Sequence, residues 1–299
     1  MNQTATNEEP SPAAEQDFPR RGLRAEHLTL GYGTAPVVRD LTVDIAEGEF
    51  VAIVGPNGCG KSTLLKALGR VLRPLSGRVL LHGRDIRKQR SKDVARQLAL
   101  LPQNPAVPEG ITVRSLAARG RHPYHTLLRQ WSPDDEAAID QALELTGLAA
   151  HANSLVETLS GGQRQRAWVA MILAQNTGTI LLDEPTTFLD IAHQYDLLEL
   201  FADLNRQGRT VVAVLHDLAQ AARFASRLIV VNAGRIVADG TPSDVLTADL
   251  VHQVFGLACD VIADPRTHTP LIIPHERHPD LCRQPAQIRS DRAAVDAAR

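Results

Sequence analysis

Residues 55–62 read GPNGCGKS and fit the phosphate-loop pattern GxxxxGK(S/T). They follow the apolar run Phe50–Val54 and precede a helical pattern at residues 63–72. In such a loop, glycines let consecutive backbone N–H groups point inward as an anion nest, and the next helix adds the positive end of its dipole. Lys61 would bring a full positive charge to the β- and γ-phosphates, and Ser62 is placed to hold Mg²⁺. The stretch therefore predicts a nucleoside triphosphate site where a strand passes through a loop into a helix.

Length and composition set loose limits on the fold and on the partners. With 299 residues, 43% of them hydrophobic, the chain has room for one large domain or two small ones. The net charge is −2 and no block of like charge is present, so we expect no nucleic acid partner. Cys59, Cys259 and Cys282 are far apart, which favours a reducing compartment over a disulfide framework or a CxxC metal site. We expect neither a secretory signal nor a membrane span, since the apolar runs are only strand-sized.

Hydrophobic periodicity divides the chain into a folded region and two polar ends. Residues 1–20 and 284–299 carry few large apolar groups, so we expect a disordered tail and a mobile C-terminal tail around a domain at 21–283. Strands are predicted at residues 41–45, 50–54, 98–101, 180–182, 211–215, 228–231 and 236–238. Continuous β-rich runs of this kind indicate a sheet covered on both faces, which places the chain in the α/β class.

The stretch at residues 111–159 departs from this alternation, because its pattern is helical throughout. Ser132, followed by Pro133 and two acidic residues, is a typical helix N-cap, and Gly147 closes the segment. We interpret the stretch as part of a helical lobe, inserted into the sheet domain at about residues 104–163.

Two further elements could serve a phosphate loop. Residues 159–163 read LSGGQ and precede a helical run at 164–174, although such a sequence on its own is most often a plain N-cap and turn. Residues 179–184 read TILLDE, an apolar strand that ends in the adjacent acids Asp183 and Glu184. Adjacent strand residues point to opposite sides, so one carboxylate can hold Mg²⁺ while the other orients the attacking water. A solvated loop is the simpler explanation if the two acids are taken alone.

The order and spacing of these elements resemble the ATP-binding subunits of ABC transporters over residues 24–273. GPNGCGKS resembles the Walker A loop, LSGGQ is identical to the family signature, and residues 180–184 resemble Walker B with its catalytic glutamate. The resemblance implies an α/β P-loop nucleotide-binding domain: a RecA-like core with a mixed sheet, an antiparallel β part and an inserted α-helical subdomain. It also implies ATP and Mg²⁺ as cofactors and the hydrolysis of ATP to ADP and phosphate.

The same resemblance assigns a role to each matching residue. It implies Glu184 and the switch histidine His216 as catalytic residues, and Ser62, Gln103 and Asp183 as Mg²⁺ ligands. It implies that ATP contacts Tyr32, Gly55, Pro56, Asn57, Gly58, Cys59, Gly60, Lys61, Ser62 and Thr63. It implies that a partner's ATP meets Ser160, Gly161, Gly162 and Gln163, with Asp190 in the D-loop. Taken one at a time, three of these residues have plainer explanations: Gln103 as a loop amide, His216 as a histidine bonded to backbone, and Tyr32 as a rim aromatic.

Three partners follow from the resemblance. A second ATPase subunit would complete a homodimer, in which residues 159–163 of one chain close over the ATP of the other. A separate integral membrane permease would carry the cargo and would connect the subunit to a substrate-binding protein. The chain is accordingly expected to be peripheral, on the cytoplasmic face of a bacterial inner membrane. Phe188, where a smaller residue is common, and Cys59, where Ser or Ala is common, are mild departures that leave ATP hydrolysis in place.

Several local stretches resemble the ferric-siderophore branch of importers, which also includes haem and vitamin B12 importers. They are GRHPY at 120–124, DEPTTFLDIAHQ at 183–194 and FGL at 255–257, while residues 131–147 and 264–274 favour uptake of the ferric-enterobactin, catecholate type. We therefore expect ATP-driven import of a ferric siderophore, with haem or vitamin B12 as the alternatives. A soluble ABC ATPase of DNA repair or translation is less favoured, because the sequence has no long coiled coil, zinc module or second nucleotide domain. The eleven histidines suggest no metal centre.

Overall fold

The computed structural model describes residues 22–33, 35–126 and 131–275. The tails predicted at 1–20 and 284–299 lie outside these residues. The strands are β1 (Gly22–Tyr32), β2 (Ala35–Ala46), β3 (Phe50–Val54), β4 (Ser76–Leu81), β5 (Arg84–Asp85), β6 (Leu98–Leu101), β7 (Thr179–Asp183), β8 (Thr210–Val214), β9 (Arg227–Asn232), β10 (Arg235–Gly240), β11 (Cys259–Ala263) and β12 (Pro270–Pro274). The α-helices are α1 (Lys61–Leu68), α2 (Ser91–Ala95), α3 (Val113–Ala118), α4 (Pro133–Leu145), α5 (Gly161–Gln175), α6 (Ile191–Arg206), α7 (Leu218–Phe224), α8 (Pro242–Val245) and α9 (Ala248–Phe255). In this described part, every helix is too short or too polar to cross a membrane.

A six-stranded sheet forms the centre of the molecule, in the order β10-β9-β3-β8-β7-β6. Its neighbouring strands run parallel except at one edge, where β10 pairs antiparallel with β9. Every residue of β3, β7 and β8 is buried. Strands that are covered on both faces need apolar side chains on both, which explains the continuous apolar runs of the sequence. The predicted sheet with two covered faces is confirmed.

The sheet separates two hydrophobic cores, because successive strand residues point to opposite faces. Phe50, Ala52 and Val54 of β3 belong to the core shared with α3, α4, α5, α6 and α7. Val51 and Ile53 belong to the core shared with α1 and the second sheet. The strand is therefore held from both sides, and the loop that leaves it starts from a rigid base.

The second sheet is antiparallel, with the order β2-β1-β4-β5. It confirms the expected antiparallel β part, although the sequence predicted only residues 41–45 of it. β2 spans Ala35–Ala46, and β1, β4 and β5 were missed. In β1 the alternation of apolar and polar residues is interrupted at bulges, such as the register shift between Ala25 and Leu28. A bulge places two residues opposite one and hides the period of two that sequence analysis relies on.

Helices α3, α4 and α5 pack against one another and form most of the helical lobe. α4 begins after Ser132, whose side chain forms a reciprocal capping box with Asp135, so the predicted N-cap is confirmed. The prediction that residues 111–159 are helical throughout is wrong. Short 3₁₀ turns and extended residues separate the helices, and Thr112 pairs with Leu155 as an isolated β-bridge. The chain changes direction at these breaks, as it must if three successive helices are to pack against one another.

Two helix limits also differ from prediction. α1 ends at Leu68 rather than at residue 72, because Gly69 caps it and Arg70 takes a left-handed φ of 64°. α5 runs from Gly161 to Gln175, three residues earlier than predicted at its start, so the LSGGQ glycines are themselves the first turn of the helix.

The C-terminal part adds α8, α9 and the hairpin of β11 with β12, none of which the sequence analysis predicted. α9 contacts β11, and β12 packs against α7 on the core domain. Eight of the ten strand residues of the hairpin are exposed or only partly buried. Such short strands carry no clear alternation, which explains why the pattern did not reveal them.

Candidate functional site

Residues 55–62 link β3 to α1, so the strand–loop–helix setting predicted for them is present. Gly55 has a φ of 152° and Gly60, the N-cap of α1, has a φ of 109°; side chains rarely adopt either value. A Cβ atom at Gly55 would lie 2.0 Å from the carbonyl oxygen of Val231, so a larger residue would displace β9. Asn57 and Gly58 are exposed at the apex of the loop. The backbone of the loop is thus open to solvent on one side and tightly packed on the other.

Lys61 begins α1 and turns back into the loop. Its Nζ donates to the carbonyl oxygens of Gly55 and Pro56, each at 2.8 Å, and the residue is only 5% exposed. The positive charge therefore lies inside the loop, where it would meet a bound phosphate. Cys59 Sγ lies 4.0 Å from the same Nζ. Burial raises the pKa of the Cys59 thiol, and the Lys61 charge offsets only part of this effect. The thiol is therefore uncharged at neutral pH and packs in the loop as an apolar side chain.

Ser62 and Asp183 connect the loop to β7. Ser62 Oγ donates to Asp183 Oδ1 at 2.7 Å, across 121 positions of sequence. Asp183 is 1% exposed, and its Oδ2 has no hydrogen-bond partner among the described residues. Burial raises the pKa of Asp183, because the Ser62 hydrogen bond and nearby positive charge only partly compensate the lost hydration. A buried carboxylate oxygen without a donor, beside a hydroxyl, suits a hard cation such as Mg²⁺.

Glu184 follows directly, and residues at the ends of the two neighbouring strands, β6 and β8, hold it. Its Oε2 accepts a hydrogen bond of 2.5 Å from Nε2 of Gln103, which follows β6. Its Oε1 lies 2.6 Å from Nε2 of His216, which follows β8. Glu184 itself has a left-handed φ of 53°, and its backbone N–H donates to the carbonyl oxygen of Val214. A non-glycine residue in this conformation costs about 1 kcal/mol, a strain that neighbouring contacts must hold in place.

The five residues predicted to act on phosphate and water form one contacting pair and one group of three. Ser62 contacts Asp183, and both Gln103 and His216 contact Glu184. Gln103 was predicted as a Mg²⁺ ligand; the structure places its amide nitrogen on Glu184, and among the described residues it records no hydrogen bond from Gln103 to Ser62 or Asp183. The parallel sheet explains the assembly, because β6, β7 and β8 all end at the same edge.

The signature residues lie at the N-terminus of α5. Ser160 is the N-cap: its Oγ accepts from the Gln163 N–H at 3.2 Å, and Gln163 Oε1 accepts from the Ser160 N–H at 3.1 Å. The first-turn N–H groups of Gly161 and Gly162 have no partner within the helix, as at every helix start. Within residues 22–33, 35–126 and 131–275, the signature turn is not hydrogen-bonded to the phosphate loop of its own chain.

Two further predicted residues lie outside the catalytic contacts. Tyr32 ends β1 and is 58% exposed, as expected of a rim aromatic.

Asp190 is the N-cap of α6, where it accepts from the backbone N–H and the ring Nδ1 of His193. These hydrogen bonds hold the pKa of the Asp190 carboxyl below its usual range. Phe188 beside it is 74% exposed and has a left-handed φ of 67°. For Asp190 the geometry supports a structural role in the loop, while its predicted D-loop role stays a prediction.

Sequence analysis missed the residues that hold the loop after Glu184. Gln165, on α5, is buried and donates to the carbonyl oxygen of Pro185 at 3.0 Å. Gln194, on α6, donates to the carbonyl oxygens of Thr186 and Leu189, and accepts from Gln220 at 2.7 Å. The sequence gives little signal for these three glutamines, since Gln165 lies between two arginines and Gln220 lies three positions from Arg223; only their burial in the fold shows that they must find partners.

Comparison with known proteins agrees with this geometry. The sequence profile of the ABC transporter family matches residues 38–187. The chain is 54% identical to the ferric enterobactin transport ATP-binding protein FepC of Escherichia coli K12 over 84% of this chain and 93% of FepC. It is 51% identical to the probable siderophore transport system ATP-binding protein YusV of Bacillus subtilis 168, over 85% of this chain and 93% of YusV. It is 42% identical to the hemin import ATP-binding protein HmuV of Rhodococcus jostii RHA1, over 84% of this chain and 86% of HmuV.

Solved structures show the same fold. A putative metal-chelate type ABC transporter in an inward-facing conformation has a TM-score of 0.73 and 28% identity, and the match covers 86% of this chain and 98% of that one. The ATP-binding cassette MJ0796, solved as a dimer bound to ADP and Pi, has a TM-score of 0.66 and 27% identity, over 73% of this chain and 98% of the cassette. The predicted P-loop nucleotide-binding domain is thereby confirmed.

The phosphate loop, the buried acid pair and the signature helix on this fold define an ATP-hydrolysing cassette, and the chain belongs to the ABC transporter family. Within the family it belongs to the importer ATPases of the ferric-siderophore branch. The subunit hydrolyses ATP and works with a membrane permease.

Proposed function

We propose that this subunit powers the import of a ferric siderophore of the catecholate class. The observation that carries the proposal is the 54% identity to a ferric enterobactin transport ATP-binding protein over 84% of the chain. Haem is the second candidate cargo, supported by the 42% identity to a hemin import protein. The lower identity ranks it behind a siderophore, and vitamin B12 ranks below both as an alternative within the branch.

For the chemistry, we assign the role of general base to Glu184. A water oxygen would bond to the γ-phosphorus as the bond to the bridging oxygen of ADP breaks, and Glu184 would take the water proton. Gln103 and His216 hold the two oxygens of this carboxylate at the edge of the sheet and so fix its orientation. The His216 ring lies beside this carboxylate, a position that suits a group that would sense the γ-phosphate.

Mg²⁺ fits the neighbouring acid. Ser62 and Asp183 would hold the ion. Gln103 is the third proposed ligand, and to reach the ion its amide would have to leave the hydrogen bond with Glu184. Support comes from Asp183 Oδ2, which is buried without a donor. A bound Mg²⁺ supplies charge neutralisation at the β- and γ-phosphates. Tyr32 would stack on adenine, and Lys61 with residues 55–63 would hold the phosphates.

Two copies of the chain would form the working unit. Among the described residues, the signature turn makes no hydrogen bond to the phosphate loop of its own chain, which supports this arrangement. A signature that binds phosphate would then bind the phosphate of an ATP held by another copy. Ser160, Gly161, Gly162 and Gln163 of one copy would close over the ATP of the other. The dimeric state of the MJ0796 cassette is consistent with such a pair.

The pair would bind a separate integral membrane permease and, through it, act with a substrate-binding protein. We place the complex at the bacterial inner membrane, with this subunit peripheral on the cytoplasmic face and without a nucleic acid partner. Residues 103–124, which run from Gln103 along the helical lobe, are the side that would receive the permease.

Deletion of the gene tests the cargo. A deletion strain should fail to grow on a catecholate siderophore as sole iron source, and a plasmid copy should restore growth. A Glu184→Gln copy should not restore it. Uptake of radioiron-labelled siderophore, haem and vitamin B12 is then measured in parallel. Normal siderophore uptake with loss of haem or vitamin B12 uptake would overturn the cargo while leaving the ATPase assignment in place.

A further inference from the structure

An open depression of about 720 Å³ lies on the surface formed by β4, β5 and α2. Arg78, Arg84, Lys88 and Arg90 line it, together with Asp85 and Asp93. The neighbouring Arg87, Lys92 and Arg96 extend the positive charge beyond its rim. We call the exposed cations Arg84, Arg87, Lys88, Arg90, Lys92 and Arg96 the basic surface.

The basic surface carries charge that the rest of the protein does not neutralise. Residues 84–96 contain six basic and two acidic residues, a net charge of +4, whereas the whole chain carries −2. In the part of the chain that the structure describes, no ion pair involves Arg84, Arg87, Lys88 or Arg90. Arg78 differs, since its guanidinium is 2.6 Å from Glu26. Four unpaired like charges repel one another, and an anionic partner would remove that cost.

The composition of the basic surface identifies the kind of partner. Large exposed apolar side chains are absent from residues 84–96, all of which are described. A specific protein partner usually needs buried aromatic or aliphatic anchors, and single-stranded nucleic acid needs aromatic stacking platforms. A surface of exposed cations without anchors suits a broad, mobile layer of phosphate groups instead. Anionic phospholipid headgroups have this chemistry.

The contacts of α2 place the basic surface next to the side that we assign to the permease. Lys92 Nζ donates to the carbonyl oxygen of His125 at 2.7 Å, and Arg96 Nε donates to that of Pro123 at 3.0 Å. The Arg96 guanidinium also lies 5.6 Å from the centre of the Tyr124 ring. α2 is thus fixed to residues 122–125, at the end of the permease-facing segment. If the segment at 103–124 faces a permease, as proposed, a surface that adjoins it would lie close to the membrane.

We propose that the basic surface binds the anionic phospholipid headgroups that surround the permease. The inference rests on the proposed function, because it requires the permease-facing side to face a membrane. Each lysine or arginine near an anionic bilayer strengthens binding by about fivefold at physiological salt. Several such cations would hold the subunit at the membrane surface, so that the subunit would reach a permease by diffusion along the membrane.

Sedimentation with vesicles tests the proposal on the full-length chain. The vesicles contain phosphatidylcholine with 30 mol% phosphatidylglycerol, and pure phosphatidylcholine vesicles serve as the neutral reference. We expect binding only to the anionic vesicles, with loss of binding in 0.5 M salt because screening removes the attraction. The variant Arg84→Gln/Lys88→Gln/Arg90→Gln should bind on the order of 100-fold more weakly, from about fivefold for each cation.

A matched variant removes the same charge elsewhere. Arg73→Gln/Arg235→Gln/Arg266→Gln also replaces three exposed cations, and it should bind anionic vesicles within about twofold of the wild type, because charges beyond a Debye length are screened. Both variants should keep the circular dichroism and the lipid-free ATPase rate of the wild type. Equal loss of binding in the two variants would overturn the proposal, since the effect would then depend on net charge alone.

Other outcomes identify other partners. Unchanged vesicle binding in the Arg84/Lys88/Arg90 variant, with transport lost in phosphatidylcholine proteoliposomes that contain the permease, would assign the basic surface to the permease and refute lipid binding. Binding of single-stranded DNA in place of vesicles would refute it as well. The vesicle assay is independent of cargo and catalysis, so Glu184→Gln should bind vesicles like the wild type. Failure of the proposed function in the uptake test and failure of lipid binding are therefore distinguishable.

Discussion

Replacement of Asp135 by alanine is expected to destabilise the helical lobe far more than replacement of Asp140, although both residues lie on α4. Asp135 is 3% exposed, and its Oδ1 accepts a hydrogen bond of 2.8 Å from Nε of Arg121, which is 7% exposed. Its Oδ2 accepts hydrogen bonds from the backbone N–H and the hydroxyl of Ser132. One carboxylate thus neutralises a buried charge and caps the start of a helix.

The magnitude follows from what the substitution leaves behind. Breaking a buried ion pair by removing one partner costs about 3–5 kcal/mol, because the other charge stays buried. Loss of the capping box adds about 1 kcal/mol. Arg121 retains its hydrogen bond to the carbonyl oxygen of Ala174, and its guanidinium still lies 3.9 Å from the centre of the Tyr124 ring, which offsets part of the loss. We expect a net loss of about 4 kcal/mol, or about 8–16 °C in Tm for a domain of this size.

Urea and thermal unfolding of the nucleotide-free protein measure the loss. Asp140→Ala is the matched control: Asp140 pairs with Arg114 at 2.6 Å, but its side chain is 56% exposed, so less than about 1 kcal/mol should be lost. The double variant Arg121→Met/Asp135→Leu should be more stable than Asp135→Ala, because it leaves no buried charge. Equal destabilisation by Asp135→Ala and Asp140→Ala would refute the reasoning.

The same pair predicts a pH dependence. Burial alone would raise the pKa of Asp135, but the Arg121 and Ser132 contacts outweigh it and hold the pKa below its usual range. A carboxyl whose pKa is depressed in the folded state stabilises the fold above the pKa of the unfolded chain, about 3.9, and loses that contribution as the pH falls through the folded pKa. The stability difference between the wild type and Asp135→Ala should therefore be constant near neutral pH and shrink below about pH 4.

Four predictions concern the nucleotide site. Glu184→Gln should lower turnover by about 10²–10⁴-fold, or about 2.7–5.4 kcal/mol of barrier, with ATP binding intact; turnover within a few-fold of wild type would remove Glu184 from the role of base. Lys61→Ala should weaken ATP binding in equilibrium titration, and unchanged affinity would contradict the phosphate-loop assignment. Glu184→Gln with ATP should move from monomer towards dimer in gel filtration, whereas a further Gly161→Asp change should abolish the shift by placing a carboxylate against phosphate. Alkylation of Cys59 should block ATP binding, proceed faster at high pH because burial raises the pKa of the thiol, and be prevented by prior ATP; Cys59→Ser should lose the sensitivity and keep activity.

The positions of Asp183 and His216, two of the proposed site residues, were predictable because each stands at the end of an apolar run that indicates a strand. Asp183 and His216 directly follow or end apolar runs, and in a parallel sheet such ends meet at one edge. The contact of Gln103 with Glu184 was not predictable. It depends on how the chain leaves β6, and hydrophobic periodicity carries no information on a loop conformation.

The GRHPY stretch at residues 120–124 shows a second limit of sequence reasoning. It was interpreted as a mark of the ferric-siderophore branch, yet much of it is used to build the lobe. A Cβ at Gly120 would lie 2.1 Å from the carbonyl oxygen of Met171, Arg121 is buried in its ion pair, and the Tyr124 hydroxyl donates to the carbonyl oxygen of Gln175. A pattern of residues cannot separate recognition from packing, because both require particular side chains at fixed positions.

The 3.0 Å hydrogen bond from Gln165 to the carbonyl oxygen of Pro185 is buried, and it joins two places that would serve different nucleotides in the proposed pair. Gln165 lies on the helix whose first turn would close over the partner's ATP, whereas Pro185 follows Glu184, the proposed base for the chain's own ATP. A displacement of either end pulls on the other through one amide. In the proposed pair, this amide would connect the loop after Glu184 at one nucleotide to the signature turn at the other, so that the two sites would not act independently.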